Sequence, residues 1–176
     1  MRALPQSATL RWRQGGLTLI ELLVGLAIAG LISAMAVTSA HQLLTAGSQA
    51  RDMQLAVAQV RAAEHWMTRD LLNAQNVTLG DDDGFPLELI WTDHLGQNHM
   101  IEYTMQAMPS GSLKNLKRLY TAPDLSESPF VVASYIDPSQ SSCASVGTSL
   151  VRVEVAATSR SYTATRSFEA ALRVAD

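Results

Sequence analysis

The sequence holds a single cysteine, Cys143, so no disulfide can form within the chain. Whatever folds is held by packing alone. Aromatic residues make up 6% of the 176 residues and are not interleaved with basic ones, which removes the stacking platform of single-strand nucleic-acid binders. Net charge is −3, and no run of lysines or arginines follows residue 37, so nucleic acid is not indicated as a partner. The sequence has no G-x-S-x-G, Walker A, H-E-x-x-H or G-x-G-x-x-G signature. Ser142-Cys143 with a distant histidine is not a nucleophile arrangement. No enzyme activity and no cofactor are expected. Proline is absent between residues 17 and 76, so nothing in that stretch forbids one long helix.

What is present is a long apolar run near the start. From Leu17 to Val37 the only non-apolar side chains are Thr18, Glu21 and Ser33. As a helix this run covers roughly 30 Å, one hydrocarbon thickness. Lipid offers no partner to backbone amides, so a spanning segment must be helical. Arg2, Arg11 and Arg13 precede it without an acid, which predicts a cytoplasmic N-terminus and export of the rest. Glu21 is the anomaly. An ionised carboxylate within hydrocarbon costs about 3 kcal/mol on insertion scales. No cation nearby in the segment offsets that cost. A new amine at Leu17, made by cleavage after Gly16, would do so. Within one helix that amine is a turn away, and in an assembly it could come from a neighbouring chain.

The stretch Gly16-Leu17-Thr18-Leu19-Ile20-Glu21, with its basic leader and apolar tail to Met35, resembles the class III signal sequence of type IV pilin-like proteins. The resemblance implies cleavage between Gly16 and Leu17 by a prepilin peptidase and N-methylation of Leu17. It also implies assembly into a filament through packed N-terminal helices, with Glu21 as the assembly residue. The implied partners are other pilins or pseudopilins, an inner-membrane assembly platform and the membrane itself. Leu17 departs from the phenylalanine most often found there in the family. Two other readings compete. One is an ordinary secretory signal peptide, with Ala34-Met35-Ala36 as its cleavage site. The other is a plain signal anchor.

The chain divides, as an expectation, into a leader 1–16, a membrane and assembly helix 17–38, an amphipathic continuation 39–76, and a β-rich exported domain 77–176. Gly25 and Ala29 form a small-xxx-small spacing, read as close packing without a specific partner. Gly47 is a candidate bend. Met53, Val57, Val60, Met67 and Leu71 recur at helical spacing and mark a buried face. Arg51, Asp52, Arg61, Glu64, Arg69 and Asp70 are assigned mostly to other faces. Asn73 to Pro86 reads as a break, with Asp81-Asp82-Asp83 a solvated acidic turn rather than a Ca²⁺ site, because EF-hand spacing is missing.

Beyond it, 87–92 and 100–105 read as a hairpin, 116–120 as a further strand, and 130–136 as a β-rich run. Residues 137–148 read as a Ser-rich surface loop, with Cys143 an unreactive small residue in it; pairing between chains is the alternative. Residues 150–156 and 162–174 alternate cleanly and form the last hairpin. His94 and His99 flank a turn and could approach each other across the first hairpin, yet no tight metal-ligand spacing supports a site.

Helix first and strands after it suits an α+β layer. The expected fold is pilin-like: one long N-terminal α-helix packed on a C-terminal antiparallel β-sheet. The layout is most similar to minor pilins of the PilW type and the J-type pseudopilin of type II secretion. That resemblance implies a structural minor subunit that initiates or caps assembly. The alternative is a single-pass, membrane-tethered binding or sensing domain that never polymerises.

Overall fold

A computed structural model describes residues 18–147 and 149–173. Helix α1 runs Leu19–Leu71. Eight strands follow: β1 Asn76–Gly80, β2 Gly84–Thr92, β3 Asn98–Ala107, β4 Lys114–Thr121, β5 Glu127–Ile136, β6 Ser142–Val146, β7 Leu150–Ser159 and β8 Tyr162–Ala171. A short 3₁₀ turn, Pro138–Gln140, precedes β6. The chain forms two compact units, Met1–Thr45 and Ala46–Asp176.

In the second unit, α1 buries Ala56, Val60, Ala63, Met67 and Leu71. The spacing alternates four, three, four and four, one stripe of a helix. This stripe corrects the expected face in part. Met53 is 49% exposed and Val57 only half-buried, because alanines 56 and 63 take the contact positions. A methyl group lets the helix axis approach the strands where a longer side chain would hold it off. The helix stops at Leu71, five residues short of the expected end, and Asn76 already belongs to β1. Asn73 and Ala74 N–H both donate to the Asp70 carbonyl, and the Asn73 amide donates to that of Arg69 at 2.9 Å. These bonds satisfy carbonyls that the helix end would otherwise leave open.

The strands form one curled antiparallel sheet in the order β1-β2-β3-β4-β5-β7-β6, with β8 paired to β7. β8 covers β7 along all ten pairs from Leu150↔Ala171 to Ser159↔Tyr162. The other edge of β7 is shared: β6 takes residues 150–154, and β5 touches it once, Ile136↔Ala157. The sheet curls back on itself where the Cys143 N–H donates to the Asp83 carbonyl at 2.8 Å. Gly84 sits at this closure with φ +87°, and any Cβ there would overlap the Cys143 carbonyl.

Two strands lie where a loop is expected from sequence. β1, Asn-Val-Thr-Leu-Gly, alternates and packs Val77 and Leu79 against the core, but five half-exposed residues between turn-forming Asn, Gly and Asp are too few to stand out as a strand. β6 lies inside the Ser-rich stretch and is held by its pairing to β7 rather than by its own propensity. Cys143 is therefore not on a surface loop; it is 5% exposed. Burial pushes its thiol up to about 12. In the folded chain the thiol should resist alkylation at pH 8 and react once denaturant is added. The pH dependence follows from the same shift. A thiol that keeps its proton to about 12 when folded but loses it near 8.5 when unfolded leaves the native state with more bound protons between those values. Stability should therefore fall as pH rises through that window. Tyr103 acts in the same direction, its phenol raised by burial and by the charge of Asp70. Denaturant titrations at pH 7 and pH 10 measure the loss.

The helix-to-sheet contact contains a buried ion pair. Asp70, 2% exposed, lies on the stripe three residues after Met67 rather than on the solvent side expected from sequence. Its Oδ2 accepts from the Tyr103 hydroxyl at 2.5 Å and from Arg118 Nε at 2.6 Å; its Oδ1 accepts from Arg118 Nη2 at 3.3 Å. Desolvation works against the Arg118 charge, but the bonds and attraction to Asp70 outweigh it and raise its pKa. The Arg118 guanidinium also lies over Trp66 at 5.4 Å and Tyr120 at 5.8 Å. Nearer the start of this helical stretch, Gln59 Oε1 accepts the Ser134 N–H at 2.7 Å and Glu64 pairs with Arg166 at 2.9 Å.

The first hairpin sets Trp91, not His94, opposite His99. The two rings stack 8° from parallel at 5.1 Å. His99 Nδ1 lies 2.8 Å from the Tyr120 hydroxyl and Nε2 lies 3.3 Å from Asp93 Oδ2. One arrangement satisfies both: Nε2–H donates to Asp93 and the Tyr120 O–H donates to Nδ1. Among the described residues no three His, Cys, Asp or Glu side chains converge on a common point suited to a metal.

Candidate processing and assembly segment

The cleavage residues expected from sequence, Gly16 and Leu17, lie outside the described residues, as does all of the leader 1–16. The described part begins at Thr18, the residue that starts the helix. The Thr18 N–H donates to Glu21 Oε2 at 2.9 Å and its hydroxyl donates to the same oxygen at 2.8 Å. The Glu21 N–H returns to Thr18 Oγ1 at 3.4 Å. This is a capping box, in which an N-cap Thr and the Glu three residues on satisfy each other's amides. The Thr-x-x-Glu spacing in residues 18–21 was the available signal, and a reading of Glu21 as charge alone passes over it.

Beyond Glu21 the helix offers no charge for a long interval. The apolar window of α1 has a mean hydropathy of 2.3 and none of it is buried within the chain. Leu22, Leu23, Leu26, Ile28, Leu31, Ile32, Met35 and Val37 are each more than half exposed. Ser33, Thr38 and Ser39 fold their hydroxyls back onto carbonyls four residues earlier, at 2.8 to 2.9 Å. The segment thus hides its few polar atoms and presents hydrocarbon all round. A helix of this kind needs lipid or other apolar helices around it.

Residues 13–37 match the model of the prokaryotic N-terminal methylation motif. The chain carries a type IV pilin-like N-terminus. The match covers the stretch from Arg13 through Val37, including Gly16, Leu17 and Glu21. No curated protein and no solved structure matches the chain. The architecture, one long N-terminal helix on a C-terminal curled antiparallel sheet, is pilin-like. The motif implies processing by prepilin peptidase and assembly with other pilin-type chains, and the apolar helix implies anchoring in a membrane.

The remaining candidate chemistry lies apart from this segment. Asp81, Asp82 and Asp83 are exposed in the β1–β2 turn, with Asp83 at φ +49°. Asp93 closes the β2–β3 turn. The Gln97 N–H above all, helped by those of Leu95 and by His99, holds its carboxyl below the ordinary range. These are turn-forming roles.

Proposed function

We propose that the chain is a structural minor subunit of a type IV pilus or of a type II secretion-like filament, cleaved after Gly16 by prepilin peptidase and methylated on Leu17, that initiates or caps assembly. The supporting observation is the coincidence of the methylation motif at residues 13–37 with an apolar helical stretch that no described residue covers and whose one acid up to residue 37 is Glu21. On this reading residues 1–16 are removed. Residues 17–38 pass from the inner membrane into the filament core, and residues 39–76 lead into the exported domain 77–176. Glu21 pairs with the Leu17 amine of an adjoining subunit. In a low-dielectric core that pairing rewards one stagger of helices and penalises others by several kcal/mol.

The capping box fits this role. Thr18 orients the carboxylate at the helix start, so the charge is placed before any neighbour arrives. Partners are then prepilin peptidase, other pilins or pseudopilins, and the inner-membrane platform. Gly16→Ala should leave the leader on most of the chain, read as a larger band and an uncleaved N-terminal peptide by mass spectrometry. Wild-type amounts of the mature terminus in that variant would contradict the assignment. Maturation without prepilin peptidase would favour a tethered binding domain instead.

A further inference from the structure

We infer that the groove between the β2–β3 and β4–β5 turns receives an apolar segment, flanked by lysine or arginine, of a different pilin-type subunit. The inference rests on the filament reading above, in which an initiating or capping subunit has chains other than itself as neighbours.

The groove has a volume of about 590 Å³. The strands contribute Ile90 and Met100 to its lining, and the turns contribute Gln97, Pro123 and Leu125. Ile90 and Met100 are register partners. They alternate with Leu89 and Ile101, which are buried in the core, so they lie on the other face of the sheet. There they are only half-buried. Leu125 is 81% exposed and takes φ +65°. A leucine is disfavoured in the left-handed region, and its side chain in water adds nothing to the core. Two costs therefore fall on one residue of the groove. Leu95, in the neighbouring turn, is 69% exposed. Apolar side chains gathered around a groove in this way mark a site of contact.

The charges beside the groove define the partner's chemistry. Glu88 and Glu102 stand directly opposite each other on β2 and β3, the next pair along the same face from Ile90 and Met100. Like charges opposed in a sheet destabilise it. Asp124 lies between Pro123 and Leu125. Among the described residues none of these three acids forms an ion pair. Lys117, opposite Thr104 and further along β4, forms none either. The groove is thus apolar within and acidic at its margin. An apolar residue between lysines or arginines would cover the one and neutralise the other. An anionic lipid surface would be repelled by the same acids. Two opposed carboxylates supply fewer oxygens than a Ca²⁺ ion takes.

The test puts a photoreactive benzoylphenylalanine in place of Leu95 of the full chain in its own cells, irradiates them and identifies the cross-linked peptide by mass spectrometry. The expected adduct is to a different chain that bears a methylation motif, through a peptide in which an apolar residue lies next to lysine or arginine. Glu88→Lys with Glu102→Lys keeps like charges opposed in the sheet but reverses the field at the groove, and should lower adduct yield about fivefold. Leu125→Asn should lower it by a similar factor. The same variant should leave the urea midpoint unchanged or higher, because asparagine enters the left-handed region more readily. Shielding of Cys143 from alkylation checks that each variant is folded. An adduct to a second copy, to lipid or to a peptide without a basic residue overturns the inference, as does unchanged yield in either variant. Absence of any adduct also overturns it. In that case a mature terminus at Leu17 in the filament fraction leaves the filament reading standing, and its absence removes both.

Discussion

Replacing Arg118 with leucine should destabilise the helix-and-sheet unit by about 3–5 kcal/mol. The substitution strips the cation from a carboxylate that is 2% exposed and close to the last carbonyls of α1. Neither water nor the helix end offers a replacement, since the C-terminal end of a helix is itself electronegative. Tyr103 still donates one bond, which leaves a buried charge with a single neutral donor. The control separates this cost from simple loss of packing. Converting both partners, Asp70→Leu with Arg118→Leu, removes the charge along with its counter-charge and should cost much less than Arg118→Leu alone. Urea unfolding of the two variants, with Cys143 reactivity as the probe, measures both. Equal losses would show that the pair contributes by shape alone.

Glu21→Ala should reduce incorporation into filaments by about tenfold or more, on the several kcal/mol assigned to the pairing, while leaving cleavage after Gly16 intact. The capping box makes this result ambiguous unless it is accompanied by a second variant. Glutamine serves at that position of a capping box as glutamate does, so Glu21→Gln keeps the start of the helix and loses only the charge. If the carboxylate acts by meeting the Leu17 amine, Glu21→Gln should fail in assembly nearly as badly as Glu21→Ala. If it acts only by capping, Glu21→Gln should assemble normally. Thr18→Ala completes the comparison: it removes the cap and keeps the charge, and should cost about 1 kcal/mol of helix stability with assembly largely retained. Immunoblots of sheared filaments against the membrane fraction give the ratio for each variant.

The residues differ in how openly they declare themselves. The helix is legible because residues 17–76 lack proline and repeat at helical spacing, and the β7–β8 hairpin is legible because its inward positions Val151, Val153 and Val155 alternate with charge. The N-terminal segment is legible because a single acid in a long apolar run has few explanations. Other features depend on partners far away in sequence. β6 is strand because β7 lies beside it, and nothing in Ser-Cys-Ala-Ser-Val alone requires that. Asp70 reads as a surface acid until Arg118, 48 residues on, is placed against it. The burial of Ala56 and Ala63 in place of Met53 and Val57 follows from how closely the sheet approaches, a distance that periodicity does not encode. His99 finds its partners only when the hairpin register puts it against Trp91 and Tyr120.

All of this bears on one electrostatic idea, that an acid in an apolar helix is matched to an amine which proteolysis exposes. Mass spectrometry of the N-terminal peptide from the membrane-embedded mature chain tests it most directly. The account predicts a peptide that starts at Leu17 and carries a methyl group on its amine. A mature chain that starts at any other residue, whether Met1 or a position after Ala36, would leave Glu21 without its counter-charge and would contradict the account.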